Sequence, residues 1–475
     1  MFSYNFKYEL KSLLRSKWLI LLTIILLTLV LFAGYSGKKK VNKRVFDIEK
    51  ANNTVKEQDI TVLKVLDSIE KGFVINQNLR SLPTNPMNIG YSYPRVAAMY
   101  PLETAFISTG QSDLFTHYVQ PKAYGDSFFF NHAEFSSPIQ LLFGSFDLAF
   151  VIIYILPLII IAFSYHIFSL EKENGSLKLM ASQPISIYKW ILQKTMLRFF
   201  VLSVIVVLVL TIAFIINNYN FVENLAEYLY FLLLTLTYIL FWFTVVLLIN
   251  IKVNNSAKNA VSLLAIWVFI ILIIPAIIAQ AANTFYPIPS RTKMITDVRA
   301  LKDDVSKKQD KILDNFLRDH PEYASNKKQN YSFWHKYLAS QDLVEDEVKP
   351  LIKSYETQLL KQQQWVKLWQ YSSPAIILQQ SFNDIAGTST THYQEYRTQV
   401  AKFSAKWRDF FVPLLYNNEK FSTKLYKQLP TFEYKKPKYT SLLFKASIVL
   451  IMSMFFLLIT RILFYNKSKK GTIIN

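Results

Sequence analysis

The sequence predicts an α-helical polytopic membrane protein: about six transmembrane helices with two large extracytoplasmic insertions, the first mixed α/β or irregular, the second mainly helical. Three observations carry this. Of 475 residues, 52% are apolar while only 10 are glycine and 17 proline, and the apolar residues fall in blocks of membrane-spanning length. Cysteine is absent, which excludes a disulfide framework, a thiolate metal site and a cysteine nucleophile. The net charge is +20, yet no basic stripe belongs to a nucleic-acid-binding motif.

Residues 1–17 read as an amphipathic helix lying on the membrane surface. Phe2, Phe6, Leu10, Leu13 and Leu14 share one face, and Lys7, Lys11 and Arg15 another. The first span is 18–34. Ala33, Gly34 and Ser36 also suit a signal-peptide cleavage site, but the long amphipathic leader favours a retained span. The first insertion, 35–145, opens with a helix, because Ile48, Val55, Val62 and Ile69 recur every seven residues. It then breaks into loops rich in proline and aromatics. Ser108 to Leu114 is turn chemistry, with Gly110 and Asp113 at turn positions around Gln111. Ser137 and Pro138 read as the N-cap and first position of the helix leading into the second span, 148–168, where Pro157 marks a kink.

A short charged segment, 169–194, follows and can itself form a helix. The next three spans are 195–216, 228–251 and 260–282, joined by an acidic connection at 217–227 and a basic one at 252–259. The second insertion, 283–440, shows three helical stripes. One runs from Met294 to Phe316, one from Val348 to Trp369, and one through Tyr393, Tyr396, Val400, Phe403, Trp407 and Phe410. Ser373 and Pro374 start a shorter helix that Gly387 ends. The last span is 441–465, and the tail 466–475 is basic. Placing both termini in the cytoplasm gathers most of the excess charge on that side, against the opposing run of Lys38, Lys39, Lys40, Lys43 and Arg44.

Chemistry-bearing motifs are sparse. No phosphate-binding P-loop, zinc-protease helix or nucleophile elbow occurs, and the six histidines are scattered. The spans are almost free of ionisable residues, with Asp147, Lys445 and Arg461 near their ends. That disfavours an ion-coupled transporter, which needs an intramembrane charge carrier. Paired acids such as Asp303/Asp304 and Glu345/Asp346/Glu347 read as solvated helix faces.

The pattern Glu171-x-x-x-Gly175, apolar Leu177, Leu179 and Met180, then Ser182, Pro184 and Lys194 resembles the cytoplasmic loop after the second span in permease subunits of ABC transporters of the type-2 exporter class. The interfacial leader and six spans resemble that layout too. Gly110, Gln111 and Asp113, together with Ser373, Pro374 and Gly387, resemble stretches of a bacterial subgroup with two large insertions of unknown function. The resemblance implies a multi-pass protein of the bacterial inner membrane, N-in and C-in, that pairs with a second permease as homo- or heterodimer. It further implies two copies of a separate ABC ATPase subunit, which holds the ATP and magnesium, docked on a coupling helix marked by Glu171, Gly175, Leu179, Pro184 and Lys194. The chain itself then binds no cofactor and is not an enzyme. Two other readings are a scaffold or mechanotransmitter that moves the insertions without substrate passage, and a membrane-embedded enzyme.

Overall fold

The computed structural model describes residues 2–73, 82–110, 112, 116–124, 146–183, 186–287, 291–307, 312, 314, 315, 317, 318, 333–437 and 442–470. Six helices among them are long and apolar enough to cross a membrane: Lys17–Glu70, Leu148–Glu173, Ile187–Ile216, Leu225–Lys252, Ser256–Phe285 and Leu442–Lys469. They are the first to sixth spans below. The chain is an α-helical, multi-pass membrane protein.

The first span has 54 residues, about 80 Å of helix against a hydrocarbon layer of ~30 Å. The boundary expected at residue 34 does not interrupt it; span and insertion helix are one rod. The seven-residue repeat explains why, since the buried side chains Val41, Ile48, Val55 and Val62 share one phase. Two glycines inside the rod allow close approach. A Cβ on Gly37 would lie 2.3 Å from the Phe106 carbonyl oxygen, and one on Gly34 would lie 2.9 Å from Asn217 Nδ2. The leader helix α1 (Phe2–Leu14) precedes this rod; Leu13 is buried, but Leu14, expected on the same face, is exposed.

The second and fifth spans are interrupted alike. Each contains a five-residue π-turn, Val151–Ile155 and Ile273-ending Phe269–Ile273, that closes two residues before a proline. Leu156 and Ile274 donate five residues back, to Val151 and Phe269. The following Pro157 and Pro275 have no amide hydrogen to continue the ladder. The kink expected at Pro157 is thus a wide turn just ahead of it. The 169–194 segment holds two short helices, α2 (Ser169–Glu173), which ends the second span, and α3 (Ser176–Ala181), which lies between it and the third. The third span already begins at Ile187, so Lys194 belongs to its first turns.

After the fifth span come helix Arg291–Ser306, then α4 (Phe333–Trp369), α5 (Pro374–Ala386) and α6 (Thr390–Tyr416). The first insertion contributes one antiparallel pair, β1 (Ala97–Ala98) with β2 (Tyr118–Val119). The two insertions do not fold apart. Val62, Met87, Ile89, Ala97 and Val119 of the first share a core with Tyr396, Val400, Trp407 and Phe411 of the second. Trp407 Nε1 donates to the Gly90 carbonyl at 3.0 Å and Tyr396 Oη to the Ala97 carbonyl at 2.8 Å. Trp369, the last residue of its predicted stripe, is exposed. Both insertions also enter the core of the spans, through Ala105, Phe106 and Ile107 on one side and Ile377, Leu378, Phe382 and Ile385 of α5 on the other.

Candidate functional site

The loop after the second span is built from charge and one left-handed residue. Gly175 has φ +75° and separates α2 from α3. No atom lies within 4 Å of where its Cβ would be, so the glycine serves the backbone angle and not a close approach. Glu171, expected to mark the helix that docks a partner, is bonded inside the chain. Its Oε1 accepts from Lys194 Nζ at 2.7 Å, and its Oε2 accepts from Ser176 Oγ. Lys194 also lies 3.7 Å from Glu9 of α1, and Arg198 one turn on lies 3.9 Å from the same carboxylate. Arg198 Nη1 donates to the Phe163 carbonyl. Leader, loop and third span are therefore joined by one ionic group.

Within α3, Leu177 is buried against Phe168, Ile191, Leu247 and Ile251, whereas Leu179 is 72% exposed. The helix is anchored by one leucine and presents the other. Pro184 lies outside the described residues.

A second tie runs to the fifth span. Glu173 accepts from Ser256 N at 2.7 Å and from Ser256 Oγ at 2.9 Å, placing a carboxylate on the amino end of that helix, where unpaired amides and the dipole favour it. Ser169 Oγ meets Ser256 Oγ at 2.8 Å. Behind them the buried amides of Asn250 and Asn259 hold the unwound end of the second span: Asn250 Oδ1 accepts from Phe168 N at 3.2 Å, and Asn259 Nδ2 donates to Ser169 Oγ at 3.1 Å. Lys467 of the sixth span donates to the carbonyls of Ile251 and Lys252, each at 3.0 Å. The second to sixth spans, five in all, converge at the loop. Glu9, Glu173, Arg198, Asn250 and Asn259 were not singled out by sequence. Arg198 carries the one available signal, as the single charge inside the expected span 195–216.

At the opposite end of the bundle, the two stretches that resembled a permease subgroup meet, although some 270 residues separate them. Ser108 Oγ donates to Asn383 Oδ1 at 2.6 Å, Gln379 Nε2 donates to the same oxygen at 3.0 Å, and Thr388 Oγ1 donates to the Ser108 carbonyl at 2.8 Å. Gly110 has φ +52° and faces Asn383; Gly387 has φ +68° and faces Leu102. Gln111 and Asp113 lie outside the described residues. Asp147 caps the second span by accepting from Phe150 N at 2.9 Å, and it accepts from Thr109 N at 2.9 Å. Burial pushes its carboxyl up to about 6 against the hydrogen bonds it receives. Arg44, from the basic run that opposed the charge rule, is buried here and donates to Ser112 Oγ at 2.6 Å. Asp384 pairs with Lys445 at 2.7 Å.

Ser373 and Pro374 do start α5, but the serine hydroxyl does not cap it. It donates instead to the Ile270 carbonyl in the π-turn of the fifth span, at 2.8 Å. Among the described residues, no three His, Asp or Glu side chains gather as metal ligands would.

A domain family of unknown function, DUF3526, matches residues 291–435. The match is confined to the second insertion and covers less than a third of the chain. It includes α5 with Ser373, Pro374 and Gly387. No curated protein and no solved structure matches the chain.

Proposed function

We propose that this chain is the permease subunit of an ATP-driven exporter of the type-2 ABC class, lying N-in and C-in in a bacterial inner membrane. It pairs with a second permease, identical or similar, and receives two copies of an ABC ATPase subunit, which supply ATP and magnesium. The observation that carries the reading is α3. Leu177 anchors it, Leu179 projects from it, and the flanking carboxylates Glu171 and Glu173 tie the loop to the third and fifth spans. A partner that displaces Leu179 moves both spans together.

The test is purification of the tagged chain with whatever nucleotide-hydrolysing subunit accompanies it. Leu179→Asp places a charge at the contact and removes that subunit, while Asp303→Ala on an exposed helix keeps it. Full retention in Leu179→Asp reduces the loop to a turn. Because the chain lacks cysteine, orientation is read directly: a cysteine at Asn220 reacts with an impermeant reagent from outside, and one at Ser176 only after permeabilisation.

Force transmission without substrate passage is a second reading. The favouring observation is that the fifth span is held at its start by Glu173 on Ser256 and near its middle by Ser373 on Ile270. Flux in reconstituted vesicles separates the two readings: ATP-dependent flux supports export, and hydrolysis with no flux supports transmission.

A further inference from the structure

The two proline-interrupted spans satisfy their broken ladders by different means. In the second span, Tyr238 Oη donates to the Ile153 carbonyl at 2.9 Å and Trp267 Nε1 to the Tyr154 carbonyl at 3.1 Å. Both donors belong to neighbouring spans, and both are aromatic side chains held by packing. In the fifth span, Ile274 donates to Phe269, so in the same register the next residue, Pro275, would have served Ile270. It has no hydrogen to give. The Ser373 hydroxyl takes that place, and it comes from the second insertion rather than from a span.

We propose that Ser373 is a latch on the fifth span: it replaces the amide that Pro275 lacks, so that the position of α5 sets the bend of the span. The remainder of α5 is tied to the first insertion by Asn383 on Ser108, and to the fourth and sixth spans by Phe382 against Phe231 and Asp384 on Lys445. A shift of α5 and the spans that grip it against the fifth span therefore carries Ser373 with it. When the hydroxyl leaves, the Ile270 carbonyl has no backbone donor in register, and the turn re-forms with a different bend. One neutral hydrogen bond weights such an equilibrium by roughly five- to tenfold, enough to bias two bends and weak enough to reverse. The same span begins at Ser256 under Glu173, so the latch near its middle and the loop at its start act on one helix. The inference concerns the chain alone and does not rest on the identity of any partner.

The experiment uses the full chain, purified with spin labels on cysteines at Val261 and Thr284, both exposed on the fifth span and about 35 Å apart along a straight helix. The wild type gives one narrow distance population. Ser373→Ala adds a second population at a different distance. Pro275→Ala restores a backbone donor, so in that background Ser373→Ala leaves the distribution as in Pro275→Ala alone. An unchanged distribution in Ser373→Ala overturns the latch, as does an equal change with and without Pro275. If Ser373→Ala alone does not fold, the double variant decides. A folded double variant that matches Pro275→Ala supports the latch, and a double variant that also fails to fold overturns it.

Discussion

The two ends of the bundle weight charge and neutral hydrogen bonds differently, although each holds both: Asp384–Lys445 sits at the junction, and Asn250, Asn259 and Ser169 bond at the loop. At the loop, long charged side chains share partners: Lys194 lies within reach of both Glu171 and Glu9, and Glu9 within reach of both Lys194 and Arg198. At the junction of the insertions, short side chains make directional bonds to each other and to backbone, as Ser108, Thr109, Asn383 and Thr388 do. A shared ionic group can slide from one partner to the other with little loss, because Coulomb attraction falls slowly with distance. A buried neutral hydrogen bond has one good geometry. The loop end is thus made to shift and the junction end to hold. Gly37 and Gly175 repeat the contrast. The first is pressed against backbone, and the second has empty space around it.

The sharpest way to break this comparison is Gly37→Val. Its side chain meets the Phe106 backbone, which cannot rotate aside, so destabilisation of about 3 kcal/mol or more is expected, read as a lowered melting temperature and poor recovery in detergent. Asp147→Asn comes next. An amide nitrogen would face the Thr109 amide that now donates to the carboxylate, leaving a buried donor unpaired at a cost of about 2 kcal/mol. The same residue gives a pH signature. Folded, Asp147 keeps its proton up to about 6, against an ordinary value of 3.8. Its contribution to stability is therefore complete below 3.8, fades as pH rises to about 6 and is gone above. A thermal-stability profile flattened in that window by Asp147→Asn is the expected result, and an unaltered slope would remove Asp147 from the account.

Changes at the loop end are smaller. Glu171→Ala leaves Lys194 with Glu9 alone and costs about 1–2 kcal/mol, with restoration by Glu171→Asp incomplete because the carboxylate is a methylene short. Gly175→Val strains a left-handed backbone in open space, for about 1 kcal/mol. Glu173→Gln is expected to leave the melting temperature where it was, while labels on the loop and on the fifth span cease to move together. If these loop variants instead unfold the chain as Gly37→Val does, the distinction between a holding end and a shifting end is lost.

Much of the architecture was legible in sequence because hydrophobic length and period are local properties. The six spans, the seven-residue phase of the first rod and the aromatic stripe through Trp407 all follow from side chains a few positions apart. Gly175 and Gly387 were legible for a related reason, since a left-handed angle at a helix end favours glycine wherever the chain goes next. Partners were not legible. In sequence Glu171 reads as part of a docking helix, and only the fold brings Lys194 beneath it.

Ser373 shows where that limit lies. The sequence by itself determined that a helix begins there, because serine followed by proline has the backbone preferences of an N-cap and first turn. Pro275, which the sequence places inside the expected span 260–282, has no amide hydrogen to give. Only the tertiary structure decided that one answers the other, sending the hydroxyl to Ile270 instead of to its own helix. Backbone preference is set by neighbours in the chain, whereas a hydrogen bond goes to whichever unsatisfied acceptor the packing brings within 3 Å.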